Sequence, residues 1–220
     1  MKEPLVGRVY SILNSHFGPL YWWPAKTPFE VMVGAILTQN TSWANVEKAI
    51  NLLKQNKMLS IKALRQAKLD VIQKNIRPSG FFVQKSERIK RLIGLIDSEF
   101  KGSISFMANQ PLPQLREMLL ATNGIGPETA DSILLYALQK PVFVVDAYTR
   151  RIFGRIGLLV GTETYEEVRC VFEKNIEAET YNQYHALIVE TAKNFCKKRV
   201  PLCIECPLSG LKLCNPKLFL

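Results

Sequence analysis

Four of the five cysteines crowd together near the end of the chain, in the pattern Cys196-x6-Cys203-x2-Cys206-x7-Cys214. Four thiolates suit either Zn²⁺ or a [4Fe–4S] cluster. A structural zinc site usually presents two close pairs, and here only Cys203 and Cys206 form one, so the uneven spacing favours the cluster. Lys197, Lys198 and Arg199 fall between the first two cysteines. Such a basic loop, pinned by metal, is able to grip phosphates.

A second group of residues lies between Leu120 and Arg151. Two apolar helical runs flank the tight turn Asn123-Gly124-Ile125-Gly126, which reads as a helix-hairpin-helix. Gly124 and Gly126 allow a sharp turn and a close backbone approach to a ligand. Gly126, Pro127 and Glu128 then make a good helix start, whose free N–H groups can receive a phosphate. Asp146 follows the apolar run Val142–Val145. Two readings of it stand together: a cap for the helix from Ala147 to Ile156, and a rigidly held carboxylate that stabilises a developing cation.

The elements that must position these groups are helical. Leu5, Val9, Ile12, Leu13 and Phe17 keep helical spacing up to Gly18-Pro19. Thr27, Pro28 and Glu30 have the layout of a capping box with proline at N1, opening an apolar, buried helix to Leu37. The polar cluster from Thr38 to Trp43 follows, with Thr41 or Ser42 as a cap for the helix from Trp43 to Leu53. Helical patterns continue over Ile61–Ala67, Leu69–Ile76 and Gln84–Phe100; Lys85, Arg88, Lys90 and Arg91 of the last read as a solvated face. Gly102–Pro113 reads as a loop, and Leu115–Ala121 as the first hairpin helix. Thr162 or Thr164 opens a helix to Phe172, and Tyr181–Phe195 is the last long one. Val142–Val145 is the one credible extended segment, so the fold class is all-α. Tyr21, Trp22, Trp23 and Pro24 form either a buried corner or a wall on which planar bases stack. His16 and His185 belong to no motif, and Cys170 falls in an apolar helical phase.

The chain has 220 residues, 47% of them apolar, enough for a core in one or two domains. Its 29 basic and 19 acidic residues give a net charge of +10, which suits a polyanionic partner. No apolar stretch is long enough to span a bilayer, and the N-terminus lacks a signal-peptide layout. The expectation is a soluble, cytoplasmic protein without a membrane partner, in a compartment where clustered cysteines favour metal over disulfides.

The hairpin, the aspartate beyond it and the closing four-cysteine loop resemble endonuclease III and its relatives, the helix-hairpin-helix DNA glycosylases. The resemblance implies two helical domains: a six-helix body over 25–138, and a second domain of 1–24 plus 139–220 carrying the cluster, with the flipped base held in the cleft. It implies that Asp146 is the catalytic residue. Bifunctional members carry a lysine in the second hairpin helix that forms a Schiff base; Glu128 holds that place here, and a carboxylate cannot form an imine. Gln39 matches the residue that fills the gap left by the flipped nucleotide, and Phe81 the apolar wedge on the opposite strand. Trp22-Trp23-Pro24, the segment Gly34–Thr41 and Arg77–Phe81 look like the 3-methyladenine DNA glycosylase III branch. This makes Trp22, Trp23, Pro24 and Trp43 the base pocket. The branch member compared lacks the cysteine loop, and the common family spacing has five residues before the last cysteine.

The expected function is a monofunctional glycosylase for alkylated purines such as 3-methyladenine, acting as a monomer on damaged double-stranded DNA within the nucleoid. Gly124, Ile125 and Gly126, with Lys197, Lys198 and Arg199, would hold the backbone. The alternatives are an endonuclease III-like glycosylase and lyase for oxidised pyrimidines, a mismatch-directed glycosylase, and a non-catalytic DNA-binding module.

Overall fold

In a computed structural model, described for residues 4–20, 23, 25–211 and 214–215, the chain is all-α, with no β-strand among the described residues. In order the helices are α1 Leu5–Phe17, α2 Pro28–Leu37, α3 Trp43–Gln55, α4 Ile61–Gln66, α5 Leu69–Ile76 and α6 Phe82–Phe100. There follow α7 Ile104–Ala108, α8 Leu112–Ala121, α9 Pro127–Ser132, α10 Ala147–Arg155, α11 Tyr165–Glu173 and α12 Tyr181–Asn194. A π-helical turn, Ile133–Ala137, extends α9. No helix among the described residues is long and apolar enough to cross a membrane.

The chain divides into two compact units, one of Trp23–Lys140 and one of Met1–Trp22 with Pro141–Leu220. The first contains eight α-helices among the described residues, α2 to α9, rather than six. The segment expected to be a loop after Gly102 holds α7, a single turn capped by Ser103 Oγ accepting from Phe106 N and fixed by buried Met107. One apolar anchor is too little for a helical period to show in the sequence. At the centre of this unit lies α2, nine of whose residues are buried. Thr27 Oγ1 caps it by accepting from Glu30 N. The carboxylate of Glu30 turns to Lys26 N at 3.3 Å and Lys54 Nζ at 2.5 Å, so the reciprocal half of the capping box is replaced by an ion pair to α3. Ser42 takes the N-cap position of α3 with no side-chain bond to that helix, while Thr41 Oγ1 accepts from Asn45 Nδ2.

In the other unit α12 is the central helix, packed on α1 and α10. Tyr184 Oη donates to Val6 O at 2.7 Å, and Gln183 Nε2 donates to Asn14 Oδ1 and Gly18 O, joining the two ends of the chain. Thr164 and Glu167 form a full capping box on α11. Phe143 stacks on Phe172, with ring centroids 4.2 Å apart, and so seats the run before Asp146 in this core.

Candidate functional site

The hairpin is α8, a turn, and α9. Arg116 grips Asp131 with two hydrogen bonds of 2.7 and 3.2 Å, and the Asp131 carboxylate is fully buried, so the two helices are locked by a bidentate ion pair. In the turn Ile125 N donates to Thr122 O at 3.0 Å, and the Ile125 side chain is buried. Gly124 has φ +90°, and a Cβ there would come within 2.5 Å of Arg88 Cγ. That position requires glycine on both grounds. Gly126 differs from expectation: its φ is −90°, a conformation open to any residue, and a Cβ on it would meet nothing. Its lack of a side chain leaves open space at the head of α9. Glu128, in the first turn of α9, is exposed.

Gln39 reaches this hairpin from the loop after α2. Its Nε2 donates to Gly124 O at 3.1 Å and Thr129 Oγ1 at 2.9 Å, while its Oε1 accepts from Arg88 Nη1. Phe81 stands at the N-cap of α6 with φ +45° and 60% of its surface exposed. An exposed aromatic in a left-handed conformation costs stability twice over, so packing gives no reason for it here. The basic residues of α6 are not the solvated face expected of them. Lys85 is fully buried, Arg88 is drawn to Gln39 and Gly124, and Arg91 donates to Asn123 O and Oδ1. Lys90, half-buried, donates to Arg65 O, and Arg91, which also pairs with Glu87, is exposed.

Of the four expected pocket residues, Trp22 and Pro24 lie outside the described residues. Trp23 meets the edge of Trp43 at 5.7 Å between centroids and lies 4.9 Å from Tyr136. Gly34 passes beneath the Trp23 indole, where a Cβ would sit 3.5 Å from the ring. Tyr136, which sequence reasoning missed, belongs to the π-helical turn, outside the simple helical phase used to sort α9. A small cavity is lined by Trp23, Trp43, Gly34, Glu30, Glu47 and Lys54.

Asp146 is the N-cap of α10. Its Oδ1 accepts from Thr149 N at 2.7 Å and from Thr149 Oγ1 at 3.0 Å, while Oδ2 lies 3.4 Å from Nε2 of buried His185. Burial alone would raise its pKa. The electrostatic influence of His185, with the two bonds from Thr149, outweighs burial and holds the carboxyl below its usual range. His185 had no role from sequence. The available signal was its place among buried Tyr184, Ala186, Leu187 and Ile188 of α12, where an imidazole needs a partner.

Cys196 is buried, Cys203 and Cys206 are half-buried, and Cys214 is exposed. Burial, then the neighbouring cysteine charges, raises Cys206 and pushes Cys214 up to about 11. The thiols therefore lie in one another's field, although among the described residues no three metal-binding side chains converge on a single-ion site. Four thiols are a donor set whose chemistry suits an iron–sulfur cluster or Zn²⁺. Buried Arg155 serves this loop, donating to Cys196 Sγ and to the carbonyls of Lys197 and Lys198 at 3.2, 2.8 and 2.9 Å. Lys197, Lys198 and Arg199 are themselves exposed, with Val200 and Ile204 beside them. Cys170 is half-buried on α11, less enclosed than expected.

Residues 33–178 match the HhH-GPD superfamily of base excision DNA repair proteins. Over 94% of its length the chain is 46% identical to 95% of a Methanocaldococcus jannaschii protein named as a putative DNA repair glycosylase. It is 31% identical to endonuclease III of Thermotoga maritima, covering 83% of this chain and 81% of that one. The crystal structure of the H. pylori 3-methyladenine DNA glycosylase MagIII bound to 1,N6-ethenoadenine superposes with a TM-score of 0.77 at 32% identity, over 86% of this chain and 97% of the other. The chain belongs to the HhH-GPD superfamily, in its endonuclease III-like group, and is a DNA glycosylase of the base excision repair class.

Proposed function

We propose that the protein is a monofunctional glycosylase that releases alkylated purines such as 3-methyladenine from duplex DNA. The observation that carries the monofunctional reading is Glu128. The residue opening the exposed face of the second hairpin helix is a carboxylate, which has no amine to offer an abasic sugar. The alkylpurine reading is supported by the 32% identity to the H. pylori 3-methyladenine glycosylase and by the aromatic cluster around Trp23.

In this reading the hairpin at Gly124 and Gly126, with Ile125 buried as its plug, and the basic loop of Lys197, Lys198 and Arg199 hold the phosphodiester backbone. Gln39 and Phe81 fill the gap left by the extruded nucleotide. Trp22, Trp23, Pro24 and Trp43, joined by Tyr136, receive a purine whose alkylation has made it cationic, a good partner for aromatic faces and a good leaving group. The enzyme then needs little acid catalysis. Asp146, kept anionic by His185 and Thr149, stabilises the positive charge that develops on the sugar as the glycosidic bond lengthens, and orients the attacking water. The unit carrying the hairpin is Trp23–Lys140, and Met1–Trp22 with Pro141–Leu220 forms the other. Cys196, Cys203, Cys206 and Cys214 would hold a [4Fe–4S] cluster, which when bound cross-links the C-terminal loop. We read the active species as a monomer.

The test is base release from alkylated, oxidised and mismatched duplexes side by side. The alkylated purine should be released fastest, without strand nicking. A second reading, an endonuclease III-like glycosylase and lyase, is favoured by the 31% identity to the Thermotoga enzyme. Release of an oxidised pyrimidine with concurrent nicking would replace the first reading by this one.

A further inference from the structure

Lys85 lies in the first turn of α6 and is fully buried. Its ammonium donates to Leu37 O at 2.9 Å and to Ser79 O at 2.7 Å, and among the described residues it meets no carboxylate. Removing an ammonium from water costs several kcal/mol, and two neutral carbonyls compensate less well than an anion would. A methionine would fill the same volume without that cost. The two acceptors are informative in themselves. Leu37 precedes Gln39 by two residues, and Ser79 precedes Phe81 by two. The main chain adds a third tie, since Lys85 N donates to Phe81 O at 3.0 Å. One residue thus holds the roots of both loops that the proposed function sends into the duplex, and it does so from inside the body, away from any phosphate. Arg88, one turn further along, continues the same edge to Gln39 itself.

We propose that Lys85 is a positioning residue that fixes the spacing between Gln39 and Phe81, so that both enter the duplex as one rigid pair. The proposal rests on the reading of these two residues as gap fillers. Without the Lys85 bridge the loop ends are free to drift apart, and the extruded nucleotide is no longer held out of the stack by both.

A double-mutant cycle tests it, using single-turnover release of whichever damaged base the wild-type protein removes fastest from a duplex. Lys85→Met should slow release by up to about 10²-fold, the scale of a misplacement near 1 Å. In a Phe81→Ala background the same substitution should cost clearly less than in the wild type, because one of the two side chains whose spacing it sets is already gone. The loss of thermal stability caused by Lys85→Met should be equal in both backgrounds. Should Lys85→Met fail to fold, Lys85→Gln, which keeps one donor, takes its place with the same expected non-additivity. An equal slowing in both backgrounds, or no slowing in either, would overturn the positioning role. If Phe81→Ala alone leaves release unchanged, the gap-filling reading of Phe81 fails, and the proposal falls with it.

Discussion

His185 Nε2 stands 3.4 Å from Asp146 Oδ2, and the two residues sit on different helices, α12 and the cap of α10. His185 is the largest influence that keeps the Asp146 carboxyl ionised against its burial. In the proposed mechanism the anion is the active form, so a lowered pKa extends activity toward acid. His185→Gln removes the charge and leaves the burial, and the Asp146 pKa must rise. The acid limb of the single-turnover pH profile should therefore move to higher pH, with little change near pH ~7, where the carboxylate stays charged in both proteins. An unmoved limb would show that His185 does not tune Asp146.

Asp146→Asn separates the two tasks of this residue. Asparagine caps helices as well as aspartate, so its Oδ1 can still accept from Thr149 and α10 keeps its start. The charge is lost. Base release should fall by about 10²–10³-fold or more, the scale for deleting one electrostatic stabiliser. Thermal unfolding and duplex affinity, by calorimetry and anisotropy, should change little. Normal release by this variant would remove Asp146 from the mechanism.

Glu128→Lys should restore what the hairpin lacks. An ε-amine at this exposed position can condense with the aldehyde of an abasic sugar, losing water to form an imine that borohydride reduces to a stable amine. The wild-type protein should yield no trapped adduct and the variant a clear one on a gel. A wild-type adduct would move the assignment to the lyase-bearing reading.

For the cysteine loop, the expected preparation is brown and holds roughly four irons per chain. Cys203→Ser should bleach it and release the iron, loosening the loop that Arg155 holds through Cys196 Sγ. A colourless wild-type protein with stoichiometric zinc would contradict the cluster.

Lys85 predicts an unusual alkaline behaviour. Burial first, and Arg88 second, lower its pKa from 10.5 to about 8. The folded protein therefore gives up this proton at lower pH than the unfolded chain. Between about pH 8 and pH 10.5 the unfolded state binds more protons at this site, and its contribution to stability rises with pH. Urea unfolding across that window should show the rise in the wild type and its loss in Lys85→Met.

What could be read from the sequence was what local chemistry decides. Thr27 with Pro28, and Asp146 before Ala147, each announce a helix start within four residues, and each is a cap in the structure, which also takes Thr164 rather than Thr162 as the cap of α11. Gly124 was readable because its turn demands a positive φ. Contacts made across long separations were not. Lys85 looked like part of a solvated stripe, because its acceptors at Leu37 and Ser79 belong to other segments. His185 had no meaning without α12 packed on α10. Tyr136 was hidden by a change of helical period, and α7 by having one buried anchor.

That change of period has a consequence for heredity. The π-helical turn Ile133–Ala137 accommodates an extra residue, bonding Leu138 N to Ile133 O and leaving the residues beyond it about 100° out of α-helical phase. Tyr136, which packs against Trp23, lies inside it. Loss of a single codon between Ile133 and Leu135 would restore the ordinary phase and swing the ring off its neighbour, with every aromatic residue still encoded. A lineage could thus lose this edge of the aromatic cluster without substituting any member of it, and comparing side chains position by position would miss the event.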